Sequence, residues 1–367
     1  MDALAGSSEA RAALALCRTR GLGPTRIRRL IDTYGSAVAT LRTFGAVSVR
    51  QSEFQAIRAA SGRIVTYGSV GYPERLTRLH APPILLHMRG PVRASCEGVV
   101  AIIGCRRPTE VGRTVSRRLA FDLASRGIVV VSGLAVGIDA AAHRGALDAG
   151  GATIGVLGCG LRHVYPASHR ALYGRLGATG LLLSEFDPSE GPRAEHFPRR
   201  NRIIAALAEF VIVVQAGSRS GALITVDHAA DLGIEVGAVP GLVTDAACVG
   251  SNKLLQDGAA VITCAADVLD HLSDGCREAA WRRRPKADED RLPSGPKTAE
   301  GPARRLLDKL RDGAHRSASE LIEATGLDAG PGLALLSRLE VDGYIRSMAG
   351  GRFVASVGAP AGAGASG

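Results

Sequence analysis

Seven short apolar runs, each unbroken, constrain this chain more than any other feature. They are VVAIIG (99–104), IVVVS (128–132), TIGVL (153–157), LLLS (181–184), FVIVV (210–214), EVGAV (235–239) and AVIT (260–263). A strand with one wet face alternates apolar and polar residues, whereas these runs are apolar on both faces. They therefore belong in a parallel sheet covered by helices. Helical stretches separate successive runs, and strand–helix repetition predicts a doubly wound α/β, Rossmann-like sheet.

In such a sheet a ligand lies beyond the carboxyl ends of the strands. The residues after each run are Gly104-Cys105-Arg106-Arg107, Ser132-Gly133, Gly158-Cys159-Gly160-Leu161-Arg162, Glu185, Gln215-Ala216-Gly217-Ser218-Arg219-Ser220-Gly221 and Pro240-Gly241. Glycine at nearly every switch lets backbone amides approach a ligand, and Ser220-Gly221 at a helix start suits a phosphate. Between the fourth and fifth runs lies Phe197-Pro198-Arg199-Arg200-Asn201-Arg202, three guanidiniums and a ring in six residues. Arginine forks grip phosphate oxygens and a ring offers a base a stacking face. The plainer alternative is a solvated helix start with Phe197 in the core. Asp139 and His143, four apart on one helix, are expected to hydrogen-bond to each other as a structural pair. The serines lack the GxSxG nucleophile setting, no cluster has metal-ligand spacing, and GVLGCG is a weak match to a dinucleotide fingerprint.

The flanks read differently. Residues 1–62 have helix-like apolar spacing, interrupted by Gly21-Leu22-Gly23-Pro24, with Pro24 suited to open the next helix. The sheet domain is assigned to 63–271, and 272–300 read as a flexible linker. Residues 301–356 give three helices and a hairpin, the order of a winged helix, with Ser317 and Glu320 as a capping box. The tail, 357–367, reads as disordered. The net charge of +10 is concentrated in residues 1–95, which carry 14 arginines, no lysine and 5 acidic residues. That favours a polyanionic partner, unless the arginines only reflect a genome that writes Arg for Lys. No apolar run is long enough to span a membrane, no secretory leader is recognisable, and the seven cysteines are scattered without a CxxC. A cytoplasmic chain without disulfides is expected.

Eight motifs in order, SGLAVGIDAAAH (132–143), TIGVLGCG (153–160), Tyr165-Pro166, Ser184-Glu185, FPRRNRIIAAL (197–207), SGALITVDHA (220–229), AVPG (238–241) and GSNKLLQDGA (250–259), resemble the DNA-processing protein A family, DprA or Smf. The match spans about residues 65–270, and the two ends resemble the family's SAM-like helical domain and winged helix. The resemblance implies an extended Rossmann domain that binds single-stranded DNA without turning it over and needs no cofactor or metal. It also implies a homodimer formed through this domain, which protects incoming strands in natural transformation and hands them to the recombinase RecA. By the same resemblance Arg106 would hold a phosphate and Phe197 a base, while Arg199, Arg200 and Arg202 line one rim. Ser132, Gly133, Ser220 and Gly221 would add short contacts, with Arg107, Arg162 and Asn201 beside them. Three positions depart from the family: Cys105 stands for Ser or Thr, Ala194 for a basic residue and Gln215 for Glu. The rival readings are a nucleoside monophosphate hydrolase-like enzyme, whose glutamate-bearing loop SGALIT lacks, and a non-catalytic adaptor.

Overall fold

The computed structural model describes residues 2–44, 49–92, 98–283, 302–310, 316–341, 344–348 and 351–355. The chain divides into two compact units, residues 1–283 and 284–367.

The first unit opens with four helices, α1 (Asp2–Arg18), α2 (Pro24–Tyr34), α3 (Ala37–Phe44) and α4 (Gln51–Ser61). Gly21 turns the chain at a φ of +80°, where an L side chain is strained, and Pro24 opens α2 as expected. Ile27 and Ile31, one turn apart, are the buried face of α2. The Glu9 carboxylate of α1 accepts the backbone N–H groups of Ala37 and Val38, so α1 caps the start of α3.

The nine-stranded sheet comprises β1 (Arg63–Thr66), β2 (Leu85–Arg89), β3 (Val99–Ile103), β4 (Val129–Ser132), β5 (Thr153–Val156), β6 (Leu181–Ser184), β7 (Phe210–Val213), β8 (Glu235–Ala238) and β9 (Ala260–Val261). Their order is β1-β2-β6-β5-β4-β3-β7-β8-β9. All seven sequence runs are strands, and every pairing among β3 to β9 is parallel. Two strands lay outside the reading: β1 and β2 pair antiparallel and extend the edge at β6. Central strands β3, β4 and β7 are buried along their whole length.

The intervening helices are α5 (Glu110–Ser125), α6 (Ile138–Asp148), α7 (Arg170–Thr179), α8 (His196–Leu207), α9 (Ala222–Asp231), α10 (Val249–Gln256), α11 (Ala265–Leu269) and α12 (Asp274–Arg282). Val100 and Ile102 of β3 pack with Leu119, Leu123, Ala142 and Ala146 of α5 and α6. The alternate residues, Val99, Ala101 and Ile103, share a core with Ile203 to Leu207 of α8 and with α1 and α2. Both faces are thus covered, which is why the runs carry no polar alternation. The expected linker starts too early. Residues 274–282 form α12, whose Cys276 and Ala280 are buried in the sheet core. Residues 284–300 of that linker and the tail 357–367 lie outside the described residues.

The expected Asp139–His143 bond is absent. His143 Nδ1 lies 2.7 Å from the Thr153 hydroxyl, which in turn donates to the Val130 carbonyl, while Asp139 turns to the loop after β4. Burial drives the His143 pKa from 6.5 to about 3, and burial likewise takes His87 from 6.5 to about 4. Both folded values are depressed. The stability these neutral rings contribute is complete above pH 6.5 and is lost as pH falls towards those values, because the unfolded chain binds protons the folded chain refuses. Thermal melts from pH 7.5 to 4.5 should show Tm falling below pH 6.5. In Thr153→Val, whose His143 loses its partner, the protein should melt lower across the whole range.

The second unit contains α13 (Pro302–Lys309), β10 (Arg316–Ser317), α14 (Ala318–Thr325), α15 (Ala329–Val341), β11 (Ile345–Met348) and β12 (Arg352–Ala355). Its three antiparallel strands run in the order β10-β12-β11 around a small core of Leu306, Leu310, Leu321, Leu336, Leu339 and Ile345. The capping box forms: Ser317 Oγ accepts the Glu320 N–H at 3.3 Å and the Glu320 carboxylate accepts the Ser317 N–H at 2.6 Å.

Candidate nucleic-acid interface

From β3 the chain winds outward through β4, β5 and β6, then returns to place β7, β8 and β9 on the other side. The strand order therefore reverses between β3 and β7, and the loops leaving those two strands diverge. A cavity of about 950 Å³ opens at this point, between the loop after β3, the loop after β7 and the first turns of α8. The two loops are tied at their roots, where the Cys105 N–H donates to the Gln215 carbonyl at 2.7 Å. Gly104 has to be glycine here, because a Cβ would stand 2.6 Å from Ile138 and 2.8 Å from that same carbonyl.

Helix periodicity splits the arginine-rich run. Phe197, Arg200, Asn201 and Ile204 face the cavity. Arg199 and Arg202 point away and both pair with the buried Glu185 at the end of β6, Arg199 at 3.1 Å. Arg199 and Glu185 line a separate cavity of about 360 Å³ with Cys17 and Arg18 of α1. The expected single rim of Arg199, Arg200 and Arg202 is thus corrected: residues three and four apart share a helix face, residues one and two apart do not.

Arg200 is only 4% exposed, at the cavity floor. Its Nη1 donates to the Gly133 carbonyl at 2.6 Å and to the Val156 carbonyl. Burial pushes its pKa down, and the nearby Asp139 opposes that shift. Ser132 is a second correction: it is fully buried and its hydroxyl donates to the Ile102 carbonyl at 2.6 Å. Gly133 is buried and borders a smaller adjoining cavity. Arg162 is exposed on the loop after β5, outside the lining of the main cavity. Gln215 is structural, its side chain accepting the Thr109 N–H at 3.0 Å and donating to the Thr109 hydroxyl at 3.0 Å.

At the mouth the Arg106 guanidinium lies 5.3 Å from the centre of the Phe197 ring, and the Tyr165 ring centre lies 5.4 Å from it. Behind the ring is Gly158, where a Cβ would sit 2.7 Å from Phe197 Cδ1. Arg107, Ser220 and Gly221 also border the cavity; Gly221 is the N-cap of α9, and the Ala222 and Leu223 N–H groups donate to the Ser220 hydroxyl and carbonyl. Tyr165, Arg193 and Arg219 also line the cavity and add a ring and two cations to those expected. Tyr165 stood in a quoted motif and Arg219 in a quoted loop, so their position after strands was the available signal. Arg106, Arg107, Arg193 and Arg219 are exposed, and among the described residues none of them pairs with a carboxylate. The mouth is therefore cationic, with aromatic rings inside it. Among the described residues no group of His, Cys, Asp and Glu is placed to hold a metal ion, and no helix is long and apolar enough to cross a membrane.

Comparison with known proteins agrees with this layout. A family profile described as DNA recombination-mediator protein A matches residues 63–273. The chain belongs to the DNA-processing protein A family. Profiles for a DprA-like N-terminal HHH domain and a DprA winged helix domain match residues 7–66 and 290–351. DNA processing protein DprA of Bacillus subtilis is 40% identical over 211 residues, 57% of this chain and 71% of that one. The X-ray structure of DprA from Streptococcus pneumoniae superposes with a TM-score of 0.64 at 30% identity, covering 73% of this chain and 98% of that one. A DprA from Helicobacter pylori, whose structure is described as showing a unique single-stranded DNA binding mode, gives a TM-score of 0.52 at 30% identity over 57% of this chain and 98% of that one. Like these DprA relatives, the chain is a DNA-processing, recombination-mediator type protein of mixed α/β fold.

Proposed function

We propose that this chain binds single-stranded DNA in the cavity at the β3–β7 switch, protects it, and delivers it to the RecA recombinase without chemical turnover. The observation that carries this is the Arg106–Phe197–Tyr165 group inside a mouth of four unpaired arginines. A ring held face-on to a cation takes an unpaired base, and unpaired guanidiniums take the phosphates on either side. The positive end of the α9 dipole at Gly221 favours a further phosphate at the mouth. A homodimer formed through the sheet domain would place two such cavities on one strand and raise affinity by linking them.

Fluorescent oligo-dT titrated at several salt concentrations tests the reading. Log affinity should fall linearly with log salt, by about 0.7 per phosphate engaged. Duplex of the same length should bind more weakly, and equal affinity for both forms would overturn the assignment. Release of free base from nucleoside monophosphates would support the enzyme instead. Gly158→Ala should weaken oligo-dT binding about tenfold, because the new methyl displaces the Phe197 ring that a base stacks on. Sedimentation with and without oligo-dT reads the dimer, and pull-down of RecA by the oligo-bound chain reads the delivery step.

A further inference from the structure

The cavity floor holds a buried guanidinium, Arg200, and a buried carboxylate, Asp139, both close against Gly133. Arg200 sits one turn after Phe197 on the same face of α8. Two of its three nitrogens are bonded within the protein: Nη1 to the carbonyls of Gly133 and Val156, and Nε to Asn201 Oδ1 at 3.3 Å. Those carbonyls belong to the chain leaving β4 and to the last residue of β5. The carboxylate facing it, Asp139 at the start of α6, accepts the N–H groups of Gly133 at 3.1 Å and Ala135 at 3.4 Å. Both crowd Gly133, where a Cβ would stand 2.6 Å from Arg200 Nη2 and 2.7 Å from Asp139 Oδ2. The next residue, Asn201, donates to the Gly221 carbonyl at 3.2 Å and so ties α8 to the start of α9.

Helix α8 is therefore fastened to the ends of β4 and β5 by one guanidinium, Asp139 ties the start of α6 to the same loop after β4, and the Phe197 ring projects from the turn just before Arg200. We propose that Arg200 and Asp139 are a positioning pair that holds α8 and sets the Phe197 ring against Gly158, Arg106 and Tyr165, and that Arg200 makes no contact with nucleic acid. This rests on the single-strand reading of the cavity. It reassigns the one arginine of the FPRRNR run that faces the cavity from ligand to scaffold. The other groups facing the pair are Ser132, Tyr173, Cys159 and Arg106, of which Arg106 is the cation that remains for phosphate.

Salt dependence separates the two roles. A lost phosphate ligand lowers the slope of log affinity against log salt by about 0.7, while a misplaced ring lowers affinity and leaves the slope alone. Arg200→Lys keeps the charge but cannot reach two carbonyls with a planar fork. In the full chain it should bind oligo-dT at least tenfold more weakly with an unchanged slope, whereas Arg106→Ala should lose both affinity and slope. A slope reduced by one phosphate in Arg200→Gln, which removes the charge, or affinity within twofold of the parent in Arg200→Lys, overturns the proposal. Asp139→Asn, isosteric and with Arg200 intact, should show the same pattern if Arg200→Lys does not fold. Fluorine NMR of protein labelled with 4-fluorophenylalanine supplies a readout without DNA. The Phe197 signal, assigned by its loss in Phe197→Leu, should shift in both variants while the other six phenylalanines stay in place. If the parent fails to bind oligo-dT but that signal still shifts, the single-strand reading fails and the positioning pair stands. An unmoved Phe197 signal overturns the pair whatever the chain binds.

Discussion

Glu185→Ala is expected to destabilise the first unit by about 3–5 kcal/mol in urea unfolding, a loss comparable to removing one partner of a buried ion pair. The Glu185 side chain is 3% exposed and accepts from both Arg199 and Arg202, whose side chains are 51% and 14% exposed. Arg199 can turn to water when the carboxylate goes, and Arg202 cannot. Burial already pushes the Arg202 pKa down, with Glu185 opposing that shift, so truncation leaves a desolvated cation with no counter-charge. The converse substitution separates this cause from a simple cavity: Glu185→Leu combined with Arg202→Met should recover most of the loss, since an apolar pair of similar volume needs no desolvation. Recovery below half would mean that the side-chain volume, and not the stranded charge, dominates. Oligo-dT affinity of the folded fraction should change little in the double variant, because both arginines lie on the face of α8 turned away from the cavity.

That face separation shows where the sequence was legible and where it was not. The strands were readable because VVAII and FVIV are buried on both sides, and continuous apolar runs are what two covering layers of helices demand. Strand β2, between β1 and β6, reads LLHMR, with a histidine and an arginine, and edge strand β1 reads RIVT, so neither carries that signature. Pairing at an antiparallel edge depends on what lies next to it in space, which no local pattern encodes. The FPRRNR run was read for its charge rather than its phase. Counting 3.6 residues per turn from Phe197 would have put Arg200 and Asn201 on its side and Arg199 and Arg202 on the other. What could not be read at all was burial: Ser132 follows three valines and ends its strand in the interior, with its hydroxyl bonded to the Ile102 carbonyl. Glu185 likewise gave no hint of its two arginines, because they come from the helix that packs over it. The cavity's location was legible, since glycine-rich turns after successive parallel strands mark the carboxyl edge.

Phe197→Ala and Arg106→Ala should each weaken oligo-dT binding by about 5- to 150-fold, the range for losing one stacked base at 1–3 kcal/mol. The two differ in how salt acts on them. Phe197 carries no charge, so its loss should leave the slope of log affinity against log salt unchanged, while Arg106→Ala should reduce that slope by about 0.7. The pair is also coupled. The Arg106 guanidinium rests 5.3 Å from the Phe197 ring centre, so truncating the ring removes the surface that orders the arginine. The double variant should therefore lose less than the sum of the single losses, a coupling of about 0.5 kcal/mol or more in the cycle. Full additivity would mean that ring and guanidinium engage the strand at separate places. A slope lowered by Phe197→Ala alone would mean that the ring's main task is to hold Arg106 to a phosphate and not to stack on a base.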